Sequence, residues 1–163
     1  MMNEKRKRVR KDRTNEILEE ATRLFGTHGY RGTTLASIAE AVELTEAGLL
    51  HYFPGKVHIL QGVLELREKQ DIERLQNQFD FNKPLIKNVI EALNDVVQRN
   101  EADPAIIRLF TVLVSESLRA DHPSHDFFVN RYSQVRTQFN ELLKGLINEN
   151  QIRSDNDVEQ ISI

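Results

Sequence analysis

The sequence predicts an all-α protein, with an N-terminal three-helix helix-turn-helix head joined by a long fourth helix to a C-terminal helical bundle. Apolar residues recur at intervals of three and four along most of the 163 residues, which is the spacing of one helix face. No stretch alternates apolar and polar residues in the way that a half-buried strand does. Turn residues divide the head into short segments, whereas the segments after Lys56 are long.

The three helices of the head are marked by local start and stop signals. The first carries an apolar face over residues 17–25 and is expected to stop at Gly29, because glycine readily adopts a left-handed conformation. Thr34 and Thr45 can each accept a backbone N–H and so cap the second and third helices. The third helix is too short to be stable alone, so packing through residues such as Leu49 must hold it.

Four longer helices are expected after the head. The first runs from about Lys56 to Gln78 and joins head to body, and the second begins near Pro84. The third covers about 104–120 and is apolar on most sides, so it is expected to be central and buried. The fourth covers about 124–150. Its predicted inner face consists of Phe128, Tyr132, Val135, Phe139, Leu142, Leu143, Leu146 and Ile147.

Composition narrows the possible functions. The chain has no cysteine, so neither a disulfide framework nor thiolate chemistry is possible. Nowhere do eighteen apolar residues stand together, and the basic N-terminus runs into polar sequence, so we expect a cytoplasmic protein without a membrane partner. No nucleophile–base pair, phosphate loop or zinc spacing stands out, so no enzyme activity, metal or cofactor is predicted.

The order of these features resembles the DNA-binding head of the tetracycline-repressor (TetR) family, which includes the AcrR-type regulators. The resemblance covers residues 13 to about 65 and is specific in combination, although no single residue carries it. Its marks are Ile17 to Phe25, Gly29-Tyr30, Thr34, Ile38-Ala39, Thr45, Leu49, His51-Tyr52-Phe53 and Lys56. It implies a DNA-binding domain over residues 13–56 and a helical effector-binding and dimerisation domain over residues 57–163.

A basic segment precedes this head. The net charge is −3, yet residues 5–13 hold seven basic side chains and a single acidic one, Asp12. Residues 1–12 are therefore expected to be a disordered basic arm, which next to a helix-turn-helix would neutralise DNA phosphates.

Four residues are expected to bind DNA phosphates. Thr34 and Thr45 stand at helix N-termini, where a hydroxyl and unpaired N–H groups can meet a phosphate oxygen. Tyr52 and Lys56 are expected to grip the DNA backbone on the other side of the groove. A lysine at a helix start is repelled by the positive end of the helix dipole, which favours an anion bound between the ammonium and the helix N-terminus. The alternative for Lys56 is an ordinary exposed lysine.

The third helix is expected to read bases through Glu46, Ala47, Gly48, Leu50 and His51. His51 is the best polar candidate. Glu46 could accept a hydrogen bond from cytosine or point away from the phosphates. Leu50 could touch a thymine methyl group or be a partly covered surface leucine.

Three residues depart from the family pattern. Glu43 stands where the turn often has glycine, which costs about 1 kcal/mol if a positive φ is required. Gly48 weakens the third helix by roughly 1 kcal/mol relative to alanine. Leu50 stands where the family often has tyrosine, so the contact of that hydroxyl with a phosphate is lost. DNA affinity is therefore expected to depend more on the basic arm.

The helical body offers weaker predictions. Arg108, Ser115, Arg119 and Tyr132 could line a pocket for an unknown small-molecule effector, although internal ion pairs and helix surfaces explain such residues more simply. The segment 121–126 holds two histidines and two aspartates, but its proline favours a polar loop over a metal site.

The resemblance implies a ligand-responsive, homodimeric transcription regulator, a repressor that binds palindromic double-stranded DNA until an effector releases it. Val158, Ile161 and Ile163 look like the opening of a further helix, so the helical domain is expected to be incomplete at its C-terminus. The alternative is a truncated regulator that acts as a helical interaction or heterodimerisation protein with weak or no specific DNA binding.

Overall fold

The fold is all-α, as predicted. A computed structural model describes residues 2–78 and 85–153, with the side chains of residues 12–74, 76–77 and 85–153. Throughout these ranges the regular structure is helical. The helices are α1 (Met2–Gly32), α2 (Leu35–Ala41), α3 (Glu46–Leu50), α4 (Lys56–Gln78), α5 (Ile86–Ala102), α6 (Pro104–Ser117) and α7 (His125–Asn148). Pro84 and residues 157–163, on which two predictions fall, lie outside the described residues.

The first helix differs from its prediction at both ends. It begins at Met2, where we expect a disordered arm over residues 1–12. Lysine and arginine are good helix formers, and neither proline nor glycine interrupts the segment, so α1 can extend through it. The predicted break at Gly29 is present, with φ 71° and ψ 173°, but helical structure resumes and continues to Gly32.

The chain divides into two compact units. The first consists of Met1–Glu68 and Asp103–His125, and thus contains α1, α2, α3, the beginning of α4 and all of α6. Its α1 and α6 approach closely at Gly26, where an added Cβ would lie 3.0 Å from the backbone nitrogen of Leu109. Buried residues along both helices include Ile17, Ala21, Phe25, Leu109 and Leu113.

The expectation that α6 is buried on most sides is wrong. Leu109, Leu113 and Ser117 are buried, but Ile107 is 39% exposed and Leu118 is 81% exposed. A straight helix turns only one stripe of its side chains toward a given neighbour, and α6 packs along α1.

The second unit consists of Lys69–Ala102 and Asp126–Ile163. Val89, Leu143 and Leu146 form its buried core, against which Phe139 and Leu142 pack. The predicted inner face of α7 is wrong in its middle, because Tyr132 is 56% exposed and Val135 is 51% exposed. Their positions follow the helical spacing, but the buried residues of α7 are Phe128 near its N-terminal end and Leu143 and Leu146 near its C-terminal end, and none of them lies in its middle.

An ion network ties three helical segments of this second unit together. The Asp71 carboxylate on α4 lies 3.1 Å from the Arg131 guanidinium on α7 and 3.6 Å from that of Arg99 on α5. Across the described ranges, no helix has the combination of length and apolar character needed to cross a membrane.

Candidate nucleic-acid interface

The N-terminus of α2 is held by a reciprocal capping box. The Ser37 N–H donates to Thr34 Oγ1 and the Thr34 N–H donates to Ser37 Oγ, both at a distance of 3.0 Å. The predicted cap at Thr34 is therefore confirmed. Ser37 was not predicted from the sequence, although a Thr-x-x-Ser pattern is a variant of the known box and could have indicated it.

The short helix α3 is fixed from both sides. The Gly48 N–H donates to Thr45 Oγ1 over 3.1 Å, which confirms the predicted cap. Leu49 is fully buried and anchors the helix to the first unit. Apolar anchoring and capping together can hold a five-residue helix that would not persist in isolation.

The residues predicted to read bases lie around this anchor. Glu46, Ala47, Leu50 and His51 are exposed, and Leu50 is 42% exposed. Gly48 is half-buried, with its N–H directed to the cap. The structure therefore gathers four of the five on one short exposed segment, and base reading itself stays a prediction.

The turn between α2 and α3 requires an unusual backbone conformation. Glu43 has φ 53°, a positive value that is costly for a residue other than glycine. The Leu44 N–H donates to Ala39 O over 2.8 Å and closes the turn. Arg13 on α1 donates to Val42 O and pairs with Glu16, so it braces this turn from outside.

Lys56, predicted to bind phosphate, is occupied within the protein. Its ammonium donates to Tyr30 O and to Thr33 O, each at a distance of 2.7 Å, and lies 4.3 Å from the centre of the Tyr30 ring. These carbonyls supply negative partners for a lysine at a helix start. Desolvation lowers the pKa of Lys56, while the nearby Glu116 carboxylate opposes this effect.

A polar cluster that sequence reasoning missed surrounds Tyr30. The Tyr30 N–H donates to Glu116 Oε2 over 2.9 Å, and the His122 ring packs edge-on against the Tyr30 ring at 5.3 Å. His122 Nε2 lies 3.6 Å from the same Glu116 oxygen. We call Tyr30, Lys56, Glu116 and His122 the Tyr30 cluster. The only hint in the sequence is that Glu116 is the single acidic residue of α6.

The loop before α7 is more buried than a polar connection is expected to be. His122 and Ser124 are 6% and 0% exposed, and their side chains lie 2.8 Å apart. The Ser124 N–H also donates to His122 Nδ1 at 3.3 Å. Burial lowers the pKa of His122. Within the described residues, no three potential metal ligands are gathered.

The remaining predicted site residues are less closely grouped. Tyr52 is half-buried two positions after the end of α3, and its N–H donates to Leu49 O at a distance of 2.9 Å. The suggested pocket residues Arg108, Ser115, Arg119 and Tyr132 are all exposed. The Arg119 guanidinium also makes two 3.0 Å hydrogen bonds to Asp121.

Comparison with known proteins gives matches in sequence over the head and over most of the chain. Residues 17–63 match the family described as bacterial regulatory proteins, tetR family. Nucleoid occlusion factor SlmA of Vibrio campbellii is 25% identical over 136 residues, which are 82% of this chain and 67% of that protein. The protein of the same name from Aliivibrio fischeri is 26% identical with the same coverage.

Solved structures share the fold. A TetR transcription regulator from Haloarcula marismortui superposes with a TM-score of 0.77 at 18% identity, covering 93% of this chain and 79% of that one. A gamma-butyrolactone receptor described as ArpA-like gives 0.75 at 17% identity, covering 94% and 78%. Salmonella enterica GusR gives 0.74 at 16% identity, covering 93% and 76%.

Proposed function

Because the chain belongs to the TetR family of bacterial regulatory proteins, we propose that it is a ligand-responsive repressor that a small-molecule effector releases from a palindromic operator. The observation that carries this proposal is the exposed face of α3. A helix fixed by the buried Leu49 and the Thr45 cap presents Glu46, Ala47 and Leu50 outward. The major groove of DNA, about 12 Å wide, admits a helix presented in this way.

Phosphate binding is proposed for residues that flank α3. Thr34 and Thr45 bring the N-termini of α2 and α3 to the surface, where main-chain N–H groups favour an anion. Tyr52 lies two positions after the end of α3. The Lys56 ammonium has three donors, of which the two carbonyl contacts use two, so a phosphate oxygen can accept the third.

Repression would require two heads. A single head reads too few bases, so we propose a homodimer whose heads occupy successive major grooves, about 34 Å apart. An effector bound in the helical domain would shift α4, which begins in the first unit and ends in the second, and change this spacing. The description of one structural neighbour as a gamma-butyrolactone receptor supports a small-molecule effector.

Selection of bound DNA from a random pool tests the proposal. Purified protein at low salt should enrich a palindrome whose half-sites lie about 10 base pairs apart, centre to centre. Sedimentation in the presence of that DNA should give two chains per site. Failure to enrich any palindrome contradicts the proposed repressor function.

A helical interaction protein is the second candidate. The strained Glu43 and the helix-weakening Gly48 favour it, because both reduce the stability of the reading segment. A stable monomer with only non-specific DNA affinity would support this candidate over the repressor.

A further inference from the structure

The carboxylate of Glu116 meets the helix break at Gly29 from a distant part of the chain. Glu116 stands near the C-terminal end of α6, 86 positions after Tyr30, yet its Oε2 accepts the Tyr30 N–H over 2.9 Å. The fit is close, because a Cβ added to Gly29 would lie 2.6 Å from Glu116 Oε1. Gly29, with its positive φ, leaves room for the carboxylate that a larger residue would displace.

This contact satisfies a donor that the break exposes. Gly29 interrupts helical geometry, so the following amide needs a partner outside the regular hydrogen-bond pattern, and an unpaired buried amide is costly. A carboxylate is a strong acceptor for such an N–H. Thr33 Oγ1 donates to Gly29 O over 2.9 Å and continues the stabilisation on the other side of the break.

The same segment leads directly to the proposed DNA contacts. Lys56, the first residue of α4, donates to Tyr30 O and Thr33 O, and Thr34 then caps α2. The segment 29–34 is therefore held by Glu116 through one amide and by Lys56 through two carbonyls. All of these residues belong to the first compact unit.

We infer that Glu116 is a positioning residue for DNA binding: its hydrogen bond to the Tyr30 amide sets the segment that places Thr34 and Lys56 against phosphates. The inference rests on the proposed function. Glu116 acts through the main chain and does not itself touch DNA, since a carboxylate near phosphates would repel them. If Glu116 acted only through its charge, removal of that charge would strengthen DNA binding. Loss of its positioning contact instead weakens DNA binding.

This difference in sign makes the test specific. Affinity for the selected palindrome would be measured by fluorescence anisotropy for the parent, Glu116→Ala and Glu116→Gln. Glu116→Ala should weaken specific binding roughly tenfold or more, as expected for a lost hydrogen bond to a charged group. Glu116→Gln keeps an oxygen that can accept the Tyr30 N–H, and should stay within about threefold of the parent.

Glu19→Gln provides the matched control, because Glu19 is an exposed carboxylate on α1. It should bind DNA as tightly as the parent or slightly more tightly. Circular dichroism at the assay temperature confirms that each variant is folded. Because phosphate contacts carry no sequence information, Glu116→Ala should weaken binding to random DNA as well as to the palindrome. Equal affinity of Glu116→Ala and the parent overturns the inference, as does tighter DNA binding by folded Glu116→Ala, which is the result expected from removal of a negative charge alone.

Amide hydrogen exchange at Tyr30 gives a readout that requires no DNA. The Tyr30 amide should be protected in the parent and in Glu116→Gln, but exchange faster in Glu116→Ala while neighbouring α1 amides stay protected. Unchanged Tyr30 exchange in Glu116→Ala overturns the contact itself. A parent that selects no DNA, with the exchange pattern as expected, instead overturns the proposed function and with it the DNA-binding role of Glu116.

Discussion

Lys56 forms contacts inside the protein and is also predicted to bind a DNA phosphate. From the sequence, a lysine at a helix start indicates a bound anion. Within the protein, two carbonyl oxygens and the Tyr30 ring already surround its ammonium. Phosphate binding by Lys56 stays a prediction, but the stability of the head depends on the same group.

Lys56→Met should therefore reduce both stability and DNA affinity. Two carbonyls lose a charged donor, which lowers the free energy of unfolding by about 1.5–3 kcal/mol. Lys69→Met, an exposed position on the same helix, should change it by less than about 0.5 kcal/mol. Urea denaturation of both variants measures the difference. Equal stability of the two variants would show that the internal contacts of Lys56 are weak.

Glu43→Gly should stabilise the protein. Glycine removes the strain of the positive φ, and the gain exceeds its entropic cost by roughly 0.5 kcal/mol. Glu40→Gly, an exposed position inside α2, is the matched control and should lose about 1 kcal/mol. Thermal unfolding distinguishes the two, and destabilisation by both variants to the same extent contradicts strain at Glu43.

His122 should make stability depend on pH. Burial lowers its folded-state pKa below the ordinary value near 6.5, so the unfolded chain binds the proton first as the pH falls. The contribution of His122 to stability is thus present above about pH 6.5 and is lost progressively as the pH falls toward the folded-state pKa. His122→Asn should show a shallower decline in the free energy of unfolding than the parent between about pH 7.5 and about pH 5. Parallel declines would contradict a depressed pKa.

At the scale of elements, the pairing of α1 with α6 distinguishes the structure from its sequence-based description. Their backbones approach at Gly26, where an added Cβ would lie 3.0 Å from Leu109 N and 3.1 Å from Ala105 O. Neither partner atom is a flexible side chain that could move aside. The close approach brings Glu116, further along α6, to the break in α1.

Gly26→Ala should consequently destabilise the protein by about 1–3 kcal/mol, although alanine is normally the better helix former. Gly55→Ala is a suitable control, because its Cβ would meet only His58 Nδ1 at 3.8 Å. Urea unfolding of both variants measures the effect. A Gly26→Ala variant more stable than the parent would contradict the close backbone contact.

Local features of this fold could be predicted from the sequence, whereas long-range contacts could not. The caps at Thr34 and Thr45 and the break at Gly29 depend on residues within three or four positions. The Glu116 contact joins residues 86 positions apart, and periodicity contains no information about such a pair. Periodicity likewise identified apolar faces on α6 and α7 without indicating which parts would find a neighbour.

At the scale of the whole molecule, the residues that stabilise the first unit differ from those proposed to read DNA. Buried residues of α1, α4 and α6 stabilise it, while α3 is held by its cap and by Leu49. The exposed residues of α3 can therefore vary in sequence at little cost to stability. On the proposed function, this division would allow one scaffold to read different operators.

Comparison of the DNA sequences selected by the parent and by His51→Ala tests most directly whether α3 reads bases. Both proteins should enrich a palindrome with the same half-site spacing, because the fold and phosphate contacts are unchanged. His51→Ala should lose base preference at one position in each half-site, corresponding to about 1–3 kcal/mol of discrimination. Identical base preferences for the two proteins, or no enriched sequence for the parent, would contradict a reading role for α3.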